Sequence, residues 1–114
     1  MDELNQNKRY TCPCCGFPGL DVLPYERASG VGLIRGVAPP YSKLFGKPTY
    51  DCCSCCGFEF GGDDGEQYPG VESESFESYL MDWIAVGCPW LFEEEKPENW
   101  SLRDQIFNAS IQVK

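Results

Sequence analysis

The alternation of apolar and polar positions changes character along the chain. In "SESFESYLMDWIAVG", residues 73–87, Phe76, Leu80, Trp83, Ile84 and Gly87 recur at helical spacing with Tyr79 beside them. That period predicts an amphipathic helix. Ser73 or Ser75 can cap its start and Gly87 can end it. Pro89 blocks continuation through "CPWLF", and "EEEKPENW" is a charged connection. A second helix is predicted from Ser101, with Asp104 three residues on as a variant capping box. Its apolar face is expected to be Leu102, Ile106 and Phe107, with Ala109. Earlier in the chain the apolar runs are shorter. "LDVLPYE", residues 20–26, alternates Leu20, Val22 and Tyr25 with other positions and predicts a short strand ended by Pro24. "GLIRGV", residues 32–37, reads as another. "APPY" cannot be helical, because Pro39 and Pro40 lack backbone donors and restrict the residue before them. "DDGE", residues 63–66, is too short for a calcium loop and reads as a turn.

The length of 114 residues predicts one domain. Twelve Gly and nine Pro concentrate irregular structure in a connection at about 28–48. The bulky Trp83, Trp90, Trp100 and Phe107 are expected to pack over the cysteine-bearing part. The opening "MDELNQNKRY" has no apolar stretch of the signal-peptide kind, and no run approaches a membrane span. The expected compartment is therefore the cytoplasm, where thiols stay reduced.

Charge narrows the partners. The net charge is −9, and it is uneven. Residues 1–50 carry six Lys/Arg against four Asp/Glu, whereas residues 51–114 carry three against fourteen. Such a chain repels a phosphate backbone, which argues against nucleic acid and for a basic protein partner. The chain also has no histidine. That removes the commonest general base and every Cys-His or Ser-His pair, so no enzyme activity is expected.

The chemistry sits in the cysteines. Seven of eight fall in "RYTCPCCGF", residues 9–17, and "YDCCSCCGF", residues 50–58. A Cys-x-x-Cys loop wraps a metal with backbone N–H groups turned to the sulfurs, and the residue after the second cysteine then favours positive φ, as Gly does. Gly16 follows Cys15 and Gly57 follows Cys56, which selects Cys53 and Cys56 over Cys52 and Cys55. The expected ligands are Cys12, Cys15, Cys53 and Cys56, with 37 residues between the halves. Four thiolates make a closed tetrahedral site, which is structural and holds zinc or, alternatively, iron. A disulfide framework is the competing reading, disfavoured by the adjacent cysteines and the expected compartment. Cys14, Cys52, Cys55 and Cys88 are left over. They can be buried apolar fillers, redox-active thiols or ligands of a second metal.

"YTCPCCGF" resembles two families. Tyr10, Cys12, Cys15, Gly16 and Phe17 match the Tyr-x-Cys-x-x-Cys-Gly-aromatic start of rubredoxins, which implies iron and one-electron transfer. Tyr10 followed by "CPCCGF", with Cys53, Cys56, Phe58, Glu59 and then Asp63 and Asp64, is similar to the bacterial CPCC-type cysteine-rich family. The departures are the insert at about 28–48, the extra Cys52 and Cys55, and Ser54 where that family usually has Pro. The resemblance implies a zinc-ribbon-like domain, with partner-binding roles that include immunity-type inhibitors of toxins.

Together these readings predict an α+β fold: a small zinc-ribbon or rubredoxin-like β core over residues 10–62, with a helical part over 73–113 packed on it. The expected function is a non-enzymatic, zinc-bearing, protein-binding module of immunity-type or regulatory kind. The alternatives are a rubredoxin-like iron electron carrier and a thiol redox sensor.

Overall fold

A computed structural model describes residues 9–27, 32–65 and 73–111. Its helices are α1 (Ser42–Phe45), α2 (Phe76–Ala85) and α3 (Leu102–Ile111), with a single 3₁₀ turn at Glu93–Glu95 between the last two. Helix α1 is one turn within the Gly/Pro-rich connection, where no helix was expected.

The α2 prediction holds in its details. Ser75 accepts a hydrogen bond from the Ser78 N–H at its start. The chain leaves the helix through Gly87 at φ 99°, a left-handed conformation that glycine adopts at little cost. Phe76 and Trp83 are buried, and Tyr79 and Leu80 are partly buried against the same core, so one stripe of the helix faces inward. Ile84, expected on that stripe, is exposed.

The predicted β core does not form. Among the described residues there is no strand, only three isolated antiparallel bridges: Tyr10 with Leu20, Tyr25 with Pro48, and Cys52 with Glu59. The reason is a shortage of donors at the positions where ladders would continue. Beyond the Tyr10–Leu20 pair the next rung would oppose Cys12 to Pro18, which has no N–H. The Cys12 N–H turns instead to Phe17 O at 2.7 Å. Pro24 and Pro48 flank or form the second bridge and likewise donate nothing. At the third, Tyr50 takes φ 65°, which bends the chain out of the extended conformation. "LDVLPYE" and the described "GLIRGV" stretch are accordingly irregular rather than strands. The "DDGE" turn is described only as far as Gly65.

Aromatic rings fill the space a sheet would have occupied. Tyr41 and Phe76 stack with centroids 4.0 Å apart, Phe58 lies 4.8 Å from Phe76, and Tyr25 stands edge-on to Phe60 at 5.9 Å. A second aromatic group runs from Phe17 through Trp90 to Trp100 and Trp83. Beneath the first group lies Asp64, 1% exposed. Its carboxylate accepts from Tyr25 Oη at 3.0 Å, the Tyr41 N–H at 3.1 Å and the Gly61 N–H at 2.7 Å. The "DDGE" turn is thus also a polar anchor between three segments.

The inward face of α3 agrees with the expected one at Ala109, which is buried, and at Leu102, which packs partly buried against the core. It differs at Gln105, which is buried, and at Phe107, which is exposed and so does not join the tryptophans. A small residue is needed at Ala109 because the helix approaches the backbone of Gly16. A Cβ added to Gly16 would lie 3.0 Å from Ala109 Cβ and 3.2 Å from Gln105 O.

Candidate metal centre

Each cysteine stretch folds into the same knuckle. In the first, Cys12 N donates to Phe17 O and Gly16 N donates to Cys12 O; in the second, Cys53 N donates to Phe58 O and Gly57 N donates to Cys53 O. The two glycines share φ near 85°, at 86° and 83°. That conformation turns the chain back beneath its own cysteines and costs an L-residue about 1–2 kcal/mol.

The knuckles face each other. Cys12, Cys15, Cys53 and Cys56 are buried, and their four sulfurs all lie within 4.8 Å of one another. The Cys15 and Cys53 sulfurs are 3.8 Å apart. Sulfurs at about 2.3 Å from a tetrahedral ion would be roughly 3.8 Å apart along each edge. The four-cysteine group can therefore hold a metal ion. Cys52 lies outside it, exposed beside a cleft of about 660 Å³ that is also lined by Asp21, Asp51 and Glu95. All eight cysteines are free of disulfide bonds.

The electrostatics of the bare thiols are strongly divided. Burial pushes Cys12 up to about 11 and Cys15 well above the ordinary thiol value. Burial opposes charge at Cys53 as well, yet hydrogen bonds to its sulfur from Cys12, Cys15 and Cys56 outweigh it and hold that thiol well below the ordinary value. Cys53 is thus the sulfur of the four at which negative charge is most favoured in the bare site. A divalent cation at their centre would favour the thiolate at all four.

Apart from Cys12 O and Cys53 O, which accept from Gly16 and Gly57 within the knuckles, the loop carbonyls are claimed by donors from elsewhere in the chain, which locks their shape. Arg35 donates to Pro13 O at 2.9 Å and Cys14 O at 2.7 Å. Gln105 Nε2 donates to Cys15 O at 3.0 Å, and Tyr79 Oη donates to Cys56 O at 2.9 Å. The chain after α2 completes the set, with Leu91 N donating to Cys55 O and Phe92 N to Ser54 O. Arg35 and Gln105 were not singled out from the sequence. The available signal for Gln105 was its spacing with Leu102 and Ala109, three back and four on, which marks the face that is buried.

The spare cysteines divide by position. Cys14 and Cys55 are buried at matching places in the two knuckles: Cys14 donates to Phe76 O at 3.5 Å, and Cys55 receives Gln105 Nε2 at 3.7 Å. Loss of solvent, followed by the charges of Glu59, Asp63 and Asp51, raises the Cys52 thiol. Loss of solvent also raises Cys88. Among the described residues no second cluster of metal-ligating side chains forms.

This packing sets an expectation for Gly16→Ala. The left-handed backbone costs about 1–2 kcal/mol, and the new methyl presses on α3. Gly87→Ala has the same kind of φ but open space around it. Urea melts should show Gly16→Ala losing about 2–3 kcal/mol and Gly87→Ala about 1. Equal losses would show that α3 does not press on the first knuckle.

No family model matches the chain, and no solved structure matches it. It is 29% identical over 99 residues to a protein of Bacillus subtilis (strain 168) named as the uncharacterized protein YoaQ, a match that spans 80% of this chain and 70% of that one. Among the described residues no helix is long and apolar enough to cross a membrane.

Proposed function

We propose that this chain is a non-enzymatic protein-binding module of immunity-type or regulatory kind, organised by a structural zinc ion on Cys12, Cys15, Cys53 and Cys56. The observation that carries the reading is the convergence of four buried sulfurs within 4.8 Å, from loops 37 residues apart. Four sulfur ligands leave no open position for a substrate, which is the pattern of structural rather than catalytic zinc. Burial of all four ligand cysteines supports zinc over an electron carrier, whose metal must lie near a partner's surface. The raised thiol of Cys52 supports it over a peroxide sensor, which needs a ready thiolate. The acidic second half suits a basic partner, with charge speeding its capture. A reducing compartment such as the cytoplasm belongs to this reading.

The test is metal analysis of the chain purified from its native host, joined to capture of its partner at low and high salt. The expected result is a colourless protein with one zinc per chain and a capture that weakens as salt rises. A red protein whose colour bleaches with dithionite would replace this reading with the iron carrier. Metal release by mild peroxide, reversed by thiol, would replace it with the sensor. Capture indifferent to salt would remove the acidic recognition face.

A further inference from the structure

A four-sulfur zinc site leaves two buried thiols unused. Cys14 and Cys55 are both 0% exposed and stand at the same place in the two knuckles, one residue before the second ligand. Each hydrogen-bonds with a ligand cysteine of the opposite knuckle, Cys14 with Cys56 and Cys55 with Cys15. The Cys55 N–H also donates to the Cys53 sulfur at 3.4 Å. Six sulfurs therefore form one contiguous buried group, four of them within 4.8 Å of one another and two more joined to its members. Cys52 is exposed and Cys88 only partly buried.

A cysteine kept only to fill space needs nothing from its sulfur but volume. These two turn theirs to ligand sulfurs, where a single tetrahedral ion cannot use them because its four positions are taken. A soft monovalent ion has different needs. Cu(I) selects thiolates, binds about three of them and shares each with a neighbouring Cu(I). If each of the six thiolates bridges two ions, they make about twelve bonds, enough for about four three-coordinate Cu(I) ions. Such a group carries a net charge of about −2, the same as one zinc on four thiolates. The buried charge is then unchanged by the exchange, and no new desolvation cost opposes it.

We propose that Cys12, Cys14, Cys15, Cys53, Cys55 and Cys56 together form a site for a Cu(I)–thiolate cluster, which replaces the zinc when Cu(I) is supplied. Zinc leaves as the divalent ion, the Cys14 and Cys55 thiols release their protons to solvent, and neither sulfur nor copper changes oxidation state. Gln105 holds one spare sulfur beside the first knuckle: its Nε2 donates to Cys15 O at 3.0 Å and reaches Cys55 Sγ at 3.7 Å. Cys14 donates to Phe76 O at 3.5 Å, a bond given up with its proton. The inference rests on the four-sulfur centre of the reading above and adds a second metal occupancy that the reading does not contain.

The test titrates the zinc-loaded full chain with the acetonitrile complex of Cu(I) under argon. The chain carries Cys52→Ser and Cys88→Ser, so that only the six cysteines of the group remain. Native mass spectrometry counts both metals. The zinc should leave as about four Cu(I) bind, and copper X-ray absorption should show sulfur neighbours together with copper–copper scattering. Adding Cys14→Ala and Cys55→Ala keeps the four zinc ligands and should lower the count to about two. Should that variant lose its zinc beforehand, the count and the copper–copper scattering of the six-cysteine chain decide alone. Retention of zinc, a count of two or fewer in the six-cysteine chain, missing copper–copper scattering, or equal counts with and without Cys14 and Cys55 would each overturn the inference. Zinc content before copper is added and salt-sensitive capture are read separately, so the reading above can stand when this fails.

Discussion

Stripping the metal from the purified chain, or exchanging Cys56 for Ser, is expected to unfold it rather than loosen one loop. The two knuckles meet through their sulfurs, and no sheet joins them among the described residues. Metal binding at such a site is worth on the order of 10 kcal/mol, comparable to the whole stability of a typical domain, about 5–15 kcal/mol. Exchanging one ligand also leaves the remaining buried thiolates without their cation. The Phe17–Trp90–Trp100 cluster rests on the first knuckle, so near-ultraviolet circular dichroism of the tryptophans should collapse together with metal loss. Cys52→Ser, at an exposed sulfur outside the group, should change the melt by less than about 0.5 kcal/mol. Retention of the full tryptophan signal in metal-free protein would refute the structural role.

The pH dependence has a definite sign. Metal-bound thiolates have folded-state pKa values depressed below their unfolded ones. The stability they contribute is therefore present above the ordinary thiol range and is lost as pH falls towards the depressed values. Burial holds Cys12 at about 11 and raises Cys15, and hydrogen bonding with Cys12 and the other neighbouring cysteines raises Cys56 in the bare site, so metal entry must displace those protons. Apparent zinc affinity should accordingly rise with pH up to that range. A flat affinity between neutral and mildly alkaline pH would contradict the four-thiolate assignment.

The second large effect is expected at Asp64→Ala. The substitution strands the Tyr25 hydroxyl and the Tyr41 and Gly61 N–H groups inside the aromatic core. Three donors lost to a carboxylate, each worth about 1.5–3 kcal/mol, give a cost of about 4.5–9 kcal/mol. A guanidinium melt monitored by tryptophan fluorescence measures it, and a loss below about 1 kcal/mol would mean that water replaces the carboxylate. The same network shapes the alkaline limb. Burial, then the charge of Asp64, raises Tyr25 above the ordinary tyrosine value. The stability from neutral Tyr25 is thus complete below about pH 10 and is lost as pH rises beyond it, where the unfolded chain ionises first. Burial raises Tyr41 and Tyr79 as well, so absorbance at 295 nm should show a late tyrosine step that accompanies unfolding, and Tyr25→Phe should diminish that step.

The parts of the fold legible in the residues are the local ones. Ser75 and Gly87 bracket α2, Ser101 hydroxyl accepts the Asp104 N–H ahead of α3, and Gly16 and Gly57 take the positive φ that their place after a cysteine requires. Each follows from a preference of one residue or its near neighbours. The β reading of residues 20–26 and 32–37 failed for a non-local reason. A strand needs a partner with donors in register, and the partners available were interrupted by Pro18, Pro24 and Pro48 or by the turn at Tyr50.

Spacing within the chain therefore determined the two knuckles, the two longer helices and the grouping of cysteines by pairs. Tertiary structure alone decided that α3 buries Gln105 and leaves Phe107 exposed, and that Asp64 is an interior anchor. The division has one physical cause. Backbone conformation responds to neighbours a few residues away, but a buried polar group is positioned by whichever distant donors and acceptors remain to be satisfied: the carbonyl of Cys15 for Gln105, the hydroxyl of Tyr25 for Asp64.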